Sequence, residues 1–143
     1  MMRSQTHIIA RYAETDQMGI IHHSVYPVWY EAARTEYIKM SGITYTQLEQ
    51  QGVMLPLTEL TCRYLRPVHY EDEVVIETET IRLTYSRITF CYRVMLDGVL
   101  MAEGTTTHGF VSSKTFRPVN LKKLMPDFYA RLQESAAKDE QDA

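Results

Sequence analysis

Between Tyr12 and Glu31 the chain reads YAETDQMGIIHHSVYPVWYE, which sets an acid, Asp16, and two adjacent imidazoles, His22 and His23, just ahead of an apolar, helix-like run. A core helix needs no such groups at its start. The first N–H groups of a helix lack intrahelical acceptors, and the aligned peptide dipoles place about half a positive charge there. An oxygen gaining negative charge at such a place is stabilised by roughly 2.7 to 4 kcal/mol per good donor in acyl transfer. Asp16, seven residues before His23, can attack an acyl carbonyl or take a proton from water. His23 can orient the acid or the water, and Tyr12 can hydrogen-bond to either. Together these are parts for acyl transfer without a serine or cysteine nucleophile. Thioesters suit them better than amides. A thiol of pKa about 8.5 departs as thiolate with little help, whereas an amide nitrogen needs a stronger proton donor.

Such chemistry requires a loop for the acid and a helix for the donors. His7 to Tyr12 reads as a short first strand, and the segment to His23, with Gly19 inside it, as an ordered loop. Tyr26, Trp29, Tyr30, Ala33, Tyr37 and Met40 then recur at helical spacing, with Val25, Val28 and Ala32 widening the stripe into one covered over most of its circumference. Ser24 is a possible N-cap and Pro27 a possible first residue, which sets His23 at or just before the helix N-terminus. Gly42 marks its end. Glu31 and Arg34 are spaced to pair along it.

Thr44 to Gln51 reads as a helical turn, after which the chain becomes β-rich. Leu60, Cys62 and Tyr64 alternate with Glu59, Thr61 and Arg63, the pattern of a half-buried strand. Glu73 to Thr84 is a second, whose apolar parity changes between Ile76 and Ile81, the mark of a bulge. Ile88 to Leu96 is a third, and Asp97-Gly98 a two-residue hairpin turn. A last strand spans Val99 to Ser112, these four strands forming a meander. Leu121, Leu124, Met125, Phe128 and Leu132 suggest a small amphipathic helix interrupted at Pro126. The order predicts an α+β chain, an antiparallel sheet packed on one helix, with a single domain over residues 1–136 and a solvated tail over 137–143.

With 143 residues, 45% hydrophobic, the chain can bury one ordinary core. A net charge of −3 offers no basic field for nucleic acid. No run approaches the roughly 18 to 20 apolar residues of a spanning helix, and no signal peptide is read. Two cysteines, Cys62 and Cys91, are too few for a disulfide framework and fit buried thiols in the cytoplasm. No metal is expected. Asp16, His22 and His23 match no zinc spacing, and adjacent histidines on regular structure point apart.

The run Tyr12-Ala-Glu-Thr-Asp16-Gln-Met-Gly19-Ile-Ile-His-His23-Ser-Val-Tyr26, continuing to Glu31, Arg34 and Glu36, resembles the signature of hotdog-fold acyl-CoA thioesterases. The resemblance is to the 4-hydroxybenzoyl-CoA thioesterase superfamily, and most to its Tol-Pal-associated bacterial branch. It extends through Tyr64-Leu-Arg66-Pro67 and Asp72 to Arg117-Pro118. It implies a five-stranded curved antiparallel sheet around one long helix, and hydrolysis of acyl-CoA with Tyr12, Asp16 and His23 as the catalytic group. It also implies that the N–H of residue 23 polarises the thioester carbonyl, and that Asp16 is nucleophile or general base. His22, Tyr26 and Gly19 are the expected substrate-binding residues, and Arg87, Lys114 and Arg117 candidate cations for coenzyme A. Coenzyme A belongs to the substrate, and no other cofactor is implied. Homodimers or homotetramers with active sites at the subunit interface are further implications. Position 22, aromatic in such relatives, is histidine here, which bears on acyl preference.

Other readings stay open at this stage: an acyl-carrier-protein thioesterase, a thioester dehydratase, or a non-catalytic acyl-thioester-binding or assembly protein. An acid in the early loop favours hydrolysis over dehydration, whose branch carries its acid on the central helix. Taken singly, Asp16 is an ordinary turn residue, His23 an ordinary helix-end residue and Tyr12 an ordinary structural one.

Overall fold

The structure, a computed structural model, describes residues 3–142, less the side chains of 135 and 137–142. Strand β1 (Ser4–Ile9) leads through two 3₁₀ turns, Tyr12–Glu14 and His23–Val25, into α1 (Tyr26–Met40). Then come α2 (Tyr45–Gln50), β2 (Val53–Met54), β3 (Leu57–Tyr64), β4 (Glu73–Leu83), β5 (Arg87–Leu96) and β6 (Val99–Gly109). The chain closes with β7 (Val111–Ser112), α3 (Leu121–Leu124) and α4 (Pro126–Asp142). Five strands form one antiparallel sheet in the order β1-β4-β5-β6-β3, and β2 pairs with β7 apart from it.

The helix is held by its aromatic face. Tyr26, Trp29, Tyr30, Ala33, Tyr37 and Ile38 are buried there among Val74, Ile76, Ile88, Phe90, Tyr92 and Val94 from the sheet. Each large apolar side chain so buried stabilises the fold by about 1.5 to 3 kcal/mol. Tyr30 stacks on Tyr92 with centroids 4.4 Å apart, and the Tyr37 hydroxyl accepts the Thr80 N–H at 3.1 Å. Space beneath this face is tight: a Cβ at Gly104 would stand 2.3 Å from the Thr61 carbonyl oxygen and 2.9 Å from the Tyr30 hydroxyl. Helix α1 approaches β1 and β3, the two edge strands, as well as β4. Edges of a flat five-stranded sheet lie about 19 Å apart, wider than a helix of about 10 to 12 Å, so the sheet bends around it. This is the hotdog arrangement that the resemblance implied.

The bulge falls where the parity changed, between Thr80 and Arg82, and Asp97-Gly98 turns with positive φ at both residues. Other expectations are corrected. The first strand ends at Ile9, so Tyr12 opens a 3₁₀ turn instead of closing a strand. Only β4, β5 and β6 form a meander; β3 crosses to the far edge beside β6. There it has one neighbour, and all its residues but Cys62 are exposed, not half-buried in alternation. The last strand breaks after Gly109, because β7 leaves the sheet to pair with β2. Part of the widening flank of α1 is uncovered: Val28 and Ala32 are exposed while Val25 is half-buried against the core, and Met40, at the end of the stripe, is exposed too. Arg34 faces Tyr45, Tyr92 and His108, and no Glu31 pair is among the ion pairs of the described residues. Cys62 and Cys91 are half-buried instead of buried. Helix α4 continues through Asp142 into the segment expected as a tail, while the tail's solvation lies outside the described residues. No described helix is long and apolar enough to cross a membrane.

One buried chain of polar groups has a fixed direction. His108, 1% exposed, sets Nδ1 3.1 Å from the Leu55 carbonyl and Nε2 2.9 Å from Thr106 Oγ1, which lies 2.5 Å from the Tyr92 hydroxyl. A carbonyl only accepts, so Nδ1 carries the proton, Nε2 accepts from Thr106, and Thr106 accepts from Tyr92. Burial, and then the Arg34 guanidinium nearby, push His108 down to about 4. The folded state therefore keeps a neutral ring while the unfolded chain protonates near pH 6.5. This contribution, on the order of 3 kcal/mol, is whole above pH 6.5 and lost as pH falls toward 4. Denaturant unfolding from pH 7 to 4 should show the loss, and His108→Gln, which does not titrate, should flatten that part of the profile.

Candidate active site

The loop that carries Asp16 is tied at both ends. Ala10 N–H donates to the Asp72 carbonyl at 2.9 Å, Ile21 N–H to that of Val68 at 2.8 Å, and His22 N–H to that of Glu14 at 2.8 Å. Inside it, Asp16 N–H donates to Ile20 O and Gly19 N–H to Asp16 O, closing a tight turn in which Gly19 has φ +79°. The Asp16 carboxylate uses Oδ1 to accept the Met18 N–H at 2.8 Å and the Ile20 N–H at 3.4 Å. Among the described residues Oδ2 has no hydrogen-bond partner. One oxygen fixes the acid and the other is left for chemistry.

His22 shapes the opposing feature. Its Nδ1 accepts the Ser24 N–H at 3.1 Å, and its carbonyl accepts the Val25 N–H at 3.0 Å. With those amides occupied, the His23 N–H is left without a protein acceptor among the described residues. The His23 carbonyl accepts the Tyr64 hydroxyl at 2.8 Å, fastening this turn to the end of β3. A cleft of about 360 Å³ lies between these pieces, lined by Asp16, His23, Tyr26 and Tyr64 with Met18, Ile20, Ile21, Leu65, Arg66 and Pro67. Tyr26 packs edge-on to Tyr64 at 5.1 Å. Burial first, then the neighbouring Cys62, push the Tyr26 and Tyr64 phenols up to about 12, so both stay neutral. The cleft is thus lined by a residue with an unbonded carboxylate oxygen and by one with an amide hydrogen that is unbonded among the described residues, within largely apolar walls.

Of the expected site residues, the structure brings Asp16, His23 and Tyr26 into this cleft, and Gly19 into the turn that sets Asp16. Tyr12 stands outside it, 75% exposed and edge-on to Tyr70 at 5.7 Å. His22 turns to Ser24, and its ring lies against that of His23, centroids 4.1 Å apart, instead of pointing away. Arg87 lines a separate groove of about 620 Å³ beside Pro56, Thr58 and Glu59, near the start of β3. Lys114 and Arg117 flank the turn after β7. The cleft is at the other end of β3, roughly 23 Å of strand away, so within one chain none of these cations lines it. Tyr64 and Arg66 do, and were not assigned to the site from sequence. Their signal was an aromatic residue and an Arg-Pro pair closing a strand.

Comparison with known proteins gives a consistent picture. The model of the thioesterase-like superfamily matches residues 10–132. YneP of Bacillus subtilis, provisionally named an acyl-CoA thioesterase, is 35% identical over 127 residues, 88% of this chain and 92% of YneP. The acyl-CoA thioesterase YbgC of Haemophilus influenzae is 28% identical over 78% of this chain and 83% of its own. The crystal structure of a DHNA-CoA thioesterase from Staphylococcus aureus superposes with a TM-score of 0.94 at 33% identity, covering 100% of this chain and 97% of that one.

Nothing lies within 4 Å of a Cβ placed at Gly19, so the demand there is on backbone conformation alone. Gly19→Ala should cost about 1 kcal/mol, seen as a fall of about 2 to 5 °C in thermal unfolding. Gly19→Asn, which tolerates left-handed backbone, should lose less.

Proposed function

This chain belongs to the thioesterase-like superfamily, and we propose that it hydrolyses acyl-coenzyme A to a free acid and coenzyme A, using Asp16 as nucleophile or general base. The observation that carries this reading is that Asp16 and His23 line one cleft, with Asp16 Oδ2 and the His23 N–H both without a hydrogen-bond partner among the described residues. A thioester carbonyl oxygen set against that N–H gains negative charge as its carbon is attacked, and the amide and the following helix stabilise it. In one route Oδ2 attacks the carbon and the thiolate leaves; water then hydrolyses the resulting mixed anhydride and restores the carboxylate. In the other, Oδ2 takes a proton from water as the water attacks, and the collapsing intermediate expels the thiolate. The apolar walls suit an acyl group, and Arg66 supplies a cation beside it. His23 orients the attacking group in either route. His22, as helix-turn cap, acts on the substrate only through residue 23, and Tyr12 has no contact with the cleft in one chain.

The working unit in this reading is a homodimer or a pair of them. Leu57, Leu60 and Tyr64 are exposed along β3, and Leu65 just past its end; the strand is an edge with one row of unpaired backbone groups, and Val28 lies bare on α1. Antiparallel pairing of two β3 edges about a twofold axis sets the Leu57 end of one copy beside the Tyr64 end of the other. The groove of Arg87, with Lys114 and Arg117 near it, then meets the neighbouring cleft, where coenzyme A phosphates need cations. Two cysteines, too few for a disulfide framework, fit a reducing cytoplasm, and residues 1–136 act as one domain.

Purified protein should release thiol from acyl-CoA, and Asp16→Asn should lower kcat at least ~100-fold. Wild-type rates equal to the buffer blank across aliphatic and aromatic acyl-CoAs would remove this reading, and a parallel panel of acyl-carrier-protein thioesters separates the two carriers. Sedimentation at micromolar concentration should give a dimer or larger; a fully active monomer would contradict a site shared between copies.

A further inference from the structure

The buried acid of the loop is Glu14, not Asp16. Glu14 is 8% exposed, and both of its carboxylate oxygens accept. Oε1 takes the Arg11 N–H at 2.9 Å, while Oε2 takes the Trp29 indole N–H at 3.1 Å, with an Arg11 guanidinium nitrogen at 3.5 Å. Its main chain accepts as well: the Glu14 carbonyl holds the His22 N–H at 2.8 Å. A buried charge is retained only where hydrogen bonds replace its water, and the Arg11 side chain, 73% exposed, offers a screened partner. One residue therefore joins three pieces: the start of the loop, helix α1 through Trp29, and the turn that presents His23. It lies two positions before Asp16.

We infer that Glu14 is a positioning residue for the proposed hydrolysis, holding the Asp16 carboxylate and the His23 N–H at the separation the reaction uses. This rests on the hydrolase reading. Glu14 touches no substrate; it acts through Trp29 and His22. A misplacement of about 1 Å can cost on the order of 100-fold in rate, so loosening this clamp affects turnover more than binding.

Glu14→Gln tests it, because an amide turns one accepting oxygen into a donor facing another donor. The expected result is a 10- to 100-fold fall in kcat for acyl-CoA with KM within about twofold. Trp29→Phe, which keeps a ring but removes the N–H, should act in the same direction, and the double variant should be no worse than the poorer single. Trp29 is the only tryptophan in the chain, so its emission reports the contact directly and should shift in Glu14→Gln. Thr80→Val, which removes a hydroxyl bonded to Tyr37 within the core, is the control: it should lower Tm and leave kcat unchanged at 25 °C. Wild-type kcat in Glu14→Gln, additive losses in the double variant, or a kcat loss in Thr80→Val that scales with its Tm would each overturn the inference. An active wild type with an unaffected Glu14→Gln overturns this inference alone. An inert wild type overturns the hydrolase reading and this inference with it.

Discussion

Four aromatic side chains, Tyr26, Trp29, Tyr30 and Tyr37, occupy the buried face of one helix and leave water together. No flat five-stranded sheet covers such a face to both edges, so the strands bend, and the bend has visible means. Register shifts lie between Thr80 and Arg82 in β4 and, where β5 pairs with β6, opposite Val94 and Met95, with Met101 of β6 as the extra residue. They let inner strands follow the helix while Ile76, Ile88, Phe90 and Val94 stay pointed at it. The same geometry fixes what is left over: the helix start stands at the rim, beyond the sheet's cover, where amides can meet a ligand. Packing and chemistry thus share a cause, because the residues that demand curvature also push the N-terminal turn out to where a cleft can form.

Much of this is legible in residue order, and the exceptions have physical reasons. Spacing of 3.6 residues marks the helix because its buried face is continuous, and the parity change in β4 marks a bulge because alternation is local. Asp97-Gly98 is legible because left-handed backbone selects few residue types. Alternation, however, tells which way a side chain points and not what lies beside the strand, so the placement of β3 at the far edge is invisible in it. Leu60 reads as an inward residue yet is exposed on the edge strand, and Tyr64, half-exposed, meets only the first residue of the helix, Tyr26, and the turn before it.

The same distinction runs through the site. Asp16 and His23 stand out only through the whole Tyr12-to-Tyr26 pattern, because a single acid or imidazole ahead of a helix is an ordinary turn or cap residue. Tyr12 fails to join them within one chain because the turn at residues 12–14 rotates it toward Tyr70, a rotation no spacing encodes. His22 looks like a ligand-binding residue, and the structure adds that its Nδ1 is occupied by Ser24. Glu14 looks like a solvated loop charge, and its burial against Trp29 depends on two segments 15 residues apart. Tyr64 and Arg66 arrive from a strand 41 residues or more beyond His23, a meeting that only tertiary structure makes.

Gly104 gives this arrangement a lever. Absence of a side chain there lets β6 lie close to Thr61 under the ring of Tyr30, and Thr61 is three residues from Tyr64 on the same strand. A single methyl at 104 would push β3 outward about a pivot near its middle and swing the strand's far end, which grips the carbonyl of residue 23. The placing of the turn at residue 23 thus depends in part on an atom that is missing from the neighbouring strand, on the order of three strand steps, about 10 Å, from Tyr64.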